Sequence, residues 1–347
     1  FRSTSTDSIQ FGRARRSISD IIQHSMVRRS SGFRWLARVY LTVVYSGIFA
    51  FPLTSDEVYR RLWIFEGEVA PTREQIEANL LALKKISVLG QSGQLWFLQS
   101  QSKTIAHRSI HEQLSDRKIT EAKPLVRLLR VLPWVVGVAV TGSVSVGNAK
   151  EFDDTDFMII TKRRRLWLTR VIVWLFAVLM HKRRSFAKEE PNSWCLNLWL
   201  TEESMMVPQV KQSLYTAYEV CQTKWLFDRD DCMAHFFQAN YWVTGFLPRF
   251  HQFALQQAIE SNVQQAPKTY AWLVKAVRFM SSIGLVLNLV DRGAEWFQRT
   301  YMKHHQTSEI VTSSLAYFHP RNRDSEYVQQ LQQLALQTID TAKNSSN

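Results

Sequence analysis

The chain lacks features that identify several classes of protein. It has only three cysteines, Cys195, Cys221 and Cys232, an odd number without C-x-x-C spacing, so neither a disulfide framework nor a zinc site is indicated. Its most membrane-like segment, 166–180, is fifteen residues long and contains Arg170, whereas a spanning helix needs about twenty apolar residues. We find no internal repeat. These shortages predict a protein of the reducing cytoplasm, with 166–180 as a helix buried against a sheet.

Acidic residues are also scarce relative to basic ones. The chain has 30 Asp and Glu residues and 43 Lys and Arg residues, which gives a formal net charge of +13. Such a balance favours a polyanionic partner: nucleic acid, a nucleotide or an anionic membrane surface. Basic clusters at 162–165 and 181–184 flank the apolar segment. Peripheral membrane attachment through this segment therefore stays open, as does a polyanionic substrate bound beside it.

Residues 1–32 are predicted to be a basic flexible arm. Residues 1–38 contain eight arginines and eight serines against two acidic residues. A transit-like or nucleic-acid-binding role is one interpretation. The favoured one is a disordered or non-native upstream stretch, with Met26 as a possible natural start, because no apolar pattern is present.

The length of 347 residues and 46% hydrophobic content predict two or three packed units. Over 33–100 the pattern predicts a winged-helix-like domain: an apolar helix from Trp35 to Phe51, a short helix capped by Thr54 or Ser55, a helix started by the capping box at Thr72, and a hairpin formed by 86–89 and 95–98. DNA binding through the third helix stays open, but its mixed charge favours a structural or protein-contact role.

The remaining chain is predicted to be mostly helical outside one central segment. A connecting helix is expected over 101–131, interrupted near Pro124, with His107 and His111 on a solvated face rather than at a metal. A helical domain is expected over 211–343, its tryptophans and the stretch 283–290 packed in the core and Glu219 at the surface.

The central segment, 132–210, contains the motif with the most chemical content. An apolar strand over 134–140 leads into Gly142 and Ser143, and after ten residues Asp154 and Asp156 enter a second apolar strand. Side chains alternate along a strand, so the two carboxylates share a face. Two carboxylates suit magnesium, which completes its shell with water and substrate phosphates. A glycine turn with a hydroxyl donor suits a phosphate.

At these residues the chain resembles the DNA polymerase beta-like nucleotidyltransferase superfamily, in a poorly characterised bacterial branch with an N-terminal winged-helix-like segment. The shared signature is an apolar residue, Gly-Ser, a gap of about ten residues and Asp-x-Asp. The resemblance implies that Asp154 and Asp156 bind two Mg²⁺ ions and that Gly142 and Ser143 hold the triphosphate. It also implies an α+β fold, in which a small mixed-sheet nucleotidyltransferase core joins the winged-helix-like and helical domains.

The chain departs from this superfamily at the third acid. Members usually place a third carboxylate on a neighbouring strand, and the matching strand here is 194–200, where Cys195 and Asn197 share a face. Asn197 can bind magnesium through its carbonyl oxygen but cannot act as a general base. Glu202 and Glu203, just beyond the strand, are candidate replacements.

The expected activity is magnesium-dependent transfer of a nucleoside monophosphate, AMP from ATP, to a hydroxyl of RNA, protein or a small molecule. The rival hypothesis, motivated by Asn197, is a catalytically inactive nucleotide-sensing protein that contacts DNA or another protein. Aminoglycosides are one example of a small acceptor.

Overall fold

The structure is a computed structural model. It describes residues 31–65, 67–182, 192–260, 279, 284–302, 310–317 and 324–344. The predicted basic arm up to residue 30, the second half of the basic cluster at 183–184, and Trp272 lie outside the described residues. The fold is α+β, with one small and one large sheet.

The described residues of the N-terminal part form three helices and a three-stranded sheet. Its elements are α1 (Ser31–Ile48), β1 (Leu53–Thr54), α2 (Ser55–Arg61), α3 (Arg73–Lys85), β2 (Leu89–Ser92) and β3 (Leu95–Leu98). Thr54 caps α2 and Thr72 caps α3, each through a complete capping box, which satisfies N–H groups at both helix starts. The helices and turn expected of a winged helix are present, and the assignment to that fold stays a prediction.

The predicted hairpin is displaced by three residues in its first strand. The expected strand 86–89 is wrong, because α3 continues to Lys85 and Ser87 leaves it with a positive φ of 58°. The strand instead covers Leu89–Ser92, and Ser92 pairs with Leu95. Only two residues then remain for the turn, and the first of them is Gly93 with φ 56°, which glycine tolerates without steric strain.

Helix α4 (Thr104–Val131) connects the two sheets and is continuous through Pro124. The predicted interruption is therefore wrong. Proline removes one backbone hydrogen bond, but buried side chains on both sides of it hold the helix against the large sheet: Ala122, Leu125, Val126 and Leu129. His107 is exposed, as predicted, whereas His111 is partly buried and its Nδ1 lies 3.0 Å from Oδ1 of Asn148.

The large sheet is mixed, and its strand order is β7-β4-β5-β6-β9-β8, in which β7 is Lys224–Asp228, β8 is Ile310–Val311 and β9 is Leu315–Tyr317. β4 (Val135–Thr141) is antiparallel to β5 (Thr155–Thr161), and β5 is parallel to β6 (Trp194–Thr201). The four-residue helix α5 (Gly142–Ser145) follows β4, and α6 (Leu166–Leu179) forms the crossover from β5 to β6. The crossover helix explains the parallel pair.

The C-terminal part is mainly helical. Its elements are α7 (Leu214–Cys221), β7 (Lys224–Asp228), α8 (Cys232–Ala239), α9 (Pro248–Glu260), α10 (Gly284–Met302), β8 (Ile310–Val311), β9 (Leu315–Tyr317) and α11 (Asp324–Asn344). Among the described helices, none combines the length and apolar character needed to cross a membrane.

The two faces of the large sheet belong to separate hydrophobic cores. Met158 and Ile160 of β5 pack in a core shared with α1, α7, α8 and α9. Phe157 and Ile159 pack with α4 and α6 on the opposite face. This alternation is what a regular strand buried on both sides requires. The first core also joins the N-terminal and C-terminal parts of the chain, since Trp63 Nε1 donates to the Tyr218 hydroxyl at 2.9 Å.

Candidate functional site

The Gly142 turn lies directly against the carboxylate of Asp156. Thr141 pairs with Asp156 across β4 and β5. Gly142 has φ 66°, and a Cβ atom built on it would lie 2.8 Å from Oδ2 of Asp156. Both the backbone angle and the close approach therefore require glycine at this position. The structure thus brings together two parts of the motif that are fourteen residues apart in the chain.

Asp154 and Asp156 both turn towards the start of β6. Oδ1 of Asp154 accepts hydrogen bonds from the Ser193 amide at 3.1 Å and from its hydroxyl at 2.8 Å. Both aspartates are partly buried, while Thr155 between them and Phe157 after them are buried. The predicted division of faces agrees with this burial. Because Asp156 alternates with Phe157, it shares its face with Met158 and Ile160.

Asn197 occupies the place on β6 where a third acid was expected. Its Nδ2 donates to Oδ1 of Asp156 at 2.7 Å, and its Oδ1 accepts from Sγ of Cys195 at 2.8 Å. The strand register shifts here, since Asp156 pairs with Cys195 but Met158 with Leu198. In this arrangement the amide of Asn197 faces Asp156 as a donor, and its carbonyl oxygen faces Cys195.

Asp153 connects the phosphate-binding turn to the acidic loop. Its Oδ2 accepts from the Ser143 hydroxyl at 2.9 Å and from the Lys150 amide at 2.9 Å. The Ser143 hydroxyl predicted to contact a triphosphate is therefore a donor to Asp153. Any contact of this hydroxyl with phosphate requires exchange of that hydrogen bond.

Lys118 of α4 supports the acidic loop from inside the protein. The residue is only 2% exposed. Its Nζ donates to the carbonyl oxygens of Glu151 at 3.0 Å and Asp153 at 2.7 Å, and to Oδ1 of Asn192 at 2.5 Å. Burial lowers the pKa of Lys118 below its ordinary value, and the nearby Asp153 charge opposes this. Lys118 thus fixes the chain on both sides of the aspartates.

Lys118 and Ser193 are not among the residues predicted from the sequence. For Lys118 a signal existed: it belongs to the stripe of buried α4 residues at three- and four-residue intervals, Ser115, Lys118, Ala122, Leu125 and Leu129. A lysine on the inward stripe of a helix needs acceptors. For Ser193 we find no signal, because its contact depends on the pairing of β5 with β6.

The other acidic candidates do not join this cluster. The Glu202 amide donates to the Thr161 carbonyl at 2.9 Å, so Glu202 lies at the far end of β5, about 16 Å from Asp156 at the usual rise per residue. Glu203 lies 3.5 Å from Arg163. Glu219 is partly buried on α7, where its charge contributes to the raised pKa of Tyr215. The predictions for Glu202 and Glu203 as replacements are wrong, and Glu219 is partly rather than fully exposed.

A cavity of about 550 Å³ borders the turn. Ser145 and Val146 line it from the end of α5, Lys224 and Trp225 from β7, and Gln257 from α9, among other residues. Its volume is in the range of small-molecule sites. The Ser145 hydroxyl donates to the Gly142 carbonyl at 2.7 Å, which connects the cavity wall to the turn.

The side chains available as metal ligands are chemically suited to magnesium but few in number. Asp154 and Asp156 supply hard oxygen atoms at a partly exposed position, as Mg²⁺ prefers. No group of three or more His, Cys, Asp or Glu suited to a metal occurs among the residues that the structure describes. A bound ion would thus depend on water and substrate phosphate for its remaining ligands.

Comparisons of the chain with family models, with curated proteins and with solved structures gave no significant match.

Proposed function

We propose that the protein is a magnesium-dependent nucleotidyltransferase that transfers a nucleoside monophosphate, AMP from ATP in the first instance, to a hydroxyl acceptor. The observation that carries the proposal is the close approach of Gly142 to Asp156. A Cβ atom added at Gly142 would lie 2.8 Å from Oδ2 of Asp156. This contact joins a turn suited to phosphate with a carboxylate suited to a cation.

In this proposal Asp154 and Asp156 hold the cation, and Gly142 positions the triphosphate beside it. Bound magnesium would neutralise phosphate charge and favour an ionised acceptor hydroxyl. The acceptor oxygen bonds to the α-phosphorus while pyrophosphate leaves with the bonding electron pair, and the hydroxyl proton passes to water. Lys118 and Ser193 are positioning residues, since they bind the acidic loop and the Asp154 carboxylate.

The cavity beside Ser145 is the proposed site for the base or the acceptor. It is lined by both charged and aromatic side chains, Lys224 and Trp225 among them. An aromatic surface can stack on a base, and a lysine can contact phosphate. RNA, protein and small molecules remain the candidate acceptor classes, and cytoplasmic location is part of the proposal.

A second candidate function is nucleotide sensing without catalysis. The hydrogen bond from Asn197 to Asp156 favours it, because an amide replaces the third carboxylate and occupies one Asp156 oxygen. In that case the cation and nucleotide would bind, but transfer would not follow. The N-terminal helices would then contact DNA or another protein.

Label transfer tests the proposal. Purified protein is incubated with magnesium and each α-labelled nucleoside triphosphate, with and without cellular RNA and protein, and labelled products and pyrophosphate are measured. The control variant carries Asp154→Asn and Asp156→Asn, which preserve size and remove charge. We expect transfer by the wild type and a loss of at least about 10²-fold in the variant. Binding without transfer supports the sensing function, and equal transfer by both proteins contradicts the site.

A further inference from the structure

Polar side chains of helix α10 form several hydrogen bonds with the region around α6. Asp291 is 3% exposed, and its Oδ1 accepts from the Leu168 amide in the first turn of α6 at 2.8 Å. Oδ1 of Asn288 accepts from Arg165 at 2.6 Å, and Gln298 forms two hydrogen bonds with α6 residues. The face of α10 that packs against α6 therefore carries these polar side chains beside the buried apolar residues Leu287 and Met302.

The opposite face of α10 is apolar and exposed. Leu289 is 67% and Trp296 is 71% exposed. They belong to a stripe that recurs every three or four residues along the helix: Leu285, Val286, Leu289, Val290, Trp296, Phe297 and Tyr301. An amphipathic helix of a globular protein ordinarily buries its apolar face. The prediction that 283–290 packs in the core is thus wrong for most of its described residues, since only Leu287 is buried. The predicted core packing of the tryptophans is likewise wrong for Trp296.

Helix α6, against which α10 packs, also exposes apolar side chains. Leu166, Trp167 and Val173 face the large sheet, but Leu179 is 72% exposed on the outer side. The other exposed apolar residues of this helix and its end are Trp174, Leu175, Val178 and Met180. The predicted packing of this helix against the sheet is therefore confirmed for one face, and its outer face is exposed. Exposed apolar patches of this extent mark interaction sites.

Basic residues surround this surface, which we call the α6–α10 face. Lys162, Arg163 and Lys182 lie at the two ends of α6, where they form ion pairs with Asp230, Glu203 and Glu121. Arg163 and Arg164 are exposed before α6, and Arg292 is exposed in the middle of the apolar stripe of α10. Long basic side chains at the edge of apolar surface can reach anionic headgroups while their stems stay in apolar surroundings.

We propose that the α6–α10 face attaches the protein to the surface of an anionic membrane. Apolar side chains would enter the boundary between headgroups and acyl chains, with both helices parallel to the bilayer plane. The basic flanks would contact anionic lipid headgroups, and the exposed tryptophans and Tyr301 suit the interface. A second copy of the chain fits this face less well, because the two sets of basic flanks would repel each other.

The proposal does not depend on the proposed nucleotidyl transfer. Helix α6 covers the face of β5 that carries Phe157 and Ile159, whereas Asp156 alternates with them and lies on the other face. Membrane attachment through the α6–α10 face would therefore leave the acidic cluster outside the contact.

Flotation with lipid vesicles tests the proposal on the full chain. Vesicles of phosphatidylcholine, with and without phosphatidylglycerol, are compared at low and physiological salt. The test variant carries Leu179→Ser and Leu289→Ser, and the matched control carries Ile110→Ser and Ile259→Ser, which change equally exposed aliphatic residues elsewhere. Since all four side chains are exposed, folding should be retained, and circular dichroism checks this.

We expect binding that is stronger with phosphatidylglycerol, weaker at higher salt, and reduced about tenfold in the Leu179/Leu289 variant but not in the control. Absence of vesicle binding at low salt overturns the proposal, as does equal binding by the two variants. Sedimentation velocity tests whether a second copy of the chain binds this face instead. If the wild type self-associates but does not bind vesicles, and the Leu179/Leu289 variant does not self-associate, the face is assigned to a second copy.

Discussion

Polar side chains are arranged in opposite ways on the two sides of the large sheet. Beside β5 and β6, aspartates gather at a partly exposed position, and Lys118 and Asn197 provide hydrogen bonds from within the protein. On the α6–α10 face the polar groups, such as Asp291, are turned inward, and apolar groups are exposed. Partly exposed carboxylates that are held by hydrogen bonds suit a small charged ligand. An exposed apolar surface with basic flanks suits a large partner.

The largest effect should come from the contact between the turn and Asp156. Gly142→Ala adds a Cβ 2.8 Å from Asp156 Oδ2, while Gly147→Ala, at a similar φ of 77°, meets only the flexible Glu112 side chain at 3.3 Å. Both variants bear the strain of a left-handed residue, but only the first displaces the carboxylate. We expect nucleotidyl transfer to fall about 10²-fold more in Gly142→Ala, measured as initial rates. Equal losses would show that backbone strain alone is responsible.

Lys118 tests whether the acidic loop depends on its buried support. Lys118→Met keeps most of the side-chain volume but leaves three acceptors without their donor, at a cost of about 3 kcal/mol in the free energy of unfolding. Lys123→Met, exposed on the same helix, is the control and should change stability by less than about 0.5 kcal/mol. Urea denaturation measures both. Similar stabilities of the two variants would contradict a supporting role.

The extent to which the site was predictable depends on how local its contacts are. Gly142, Asp154 and Asp156 were identified from spacing because the turn and strand lie close together in the chain. Asn197 was identified because strand alternation placed it at a shared face with Cys195. The distances between β5 and β6 could not be predicted, which explains both the missed Ser193 and the wrong suggestion of Glu202.

The α6–α10 face shows a different limit of prediction. Periodicity predicts that 283–290 and 166–180 are apolar helices, and it does not specify which face meets the protein. The polar contacts of Asp291 and Asn288 with α6 decide this orientation, and they join residues more than a hundred positions apart. Tertiary hydrogen bonding therefore overrides the usual assumption that apolar residues are core residues.

Substitution of Asn197 tests whether a third carboxylate strengthens cation binding at the aspartate cluster. Asn197→Asp places a third carboxylate where the amide now lies 2.7 Å from Asp156, so the variant should be less stable without metal because like charges repel. Added magnesium should relieve this, and we expect about tenfold tighter magnesium binding than in the wild type. Thermal unfolding with and without magnesium measures both effects, with Asn197→Ala as the control. No difference in magnesium response between the wild type and Asn197→Asp would contradict a cation at this position.

Asp291 tests the inward polar contact of α10 through pH, with the smallest effect. Burial raises the pKa of Asp291 above its ordinary value of 3.8, so its contribution to stability is fully present below pH 3.8 and is lost as pH rises through the raised pKa. Asp291→Asn keeps an acceptor for the Leu168 amide and removes this dependence. We expect the variant to be more stable than the wild type at neutral pH and to lose this advantage in acid. Unfolding curves across pH that stay parallel would contradict a buried charge.

The most direct test of the central claim, that the Gly142 turn and the two aspartates form one cation and nucleotide site, is equilibrium binding of ATP at increasing magnesium concentration. Isothermal titration calorimetry is run on the wild type and on the Asp154→Asn, Asp156→Asn double variant. The proposed site predicts binding that requires magnesium in the wild type and is weakened at least about 10²-fold in the variant. Binding of equal strength in both proteins, or binding that does not respond to magnesium, would contradict it.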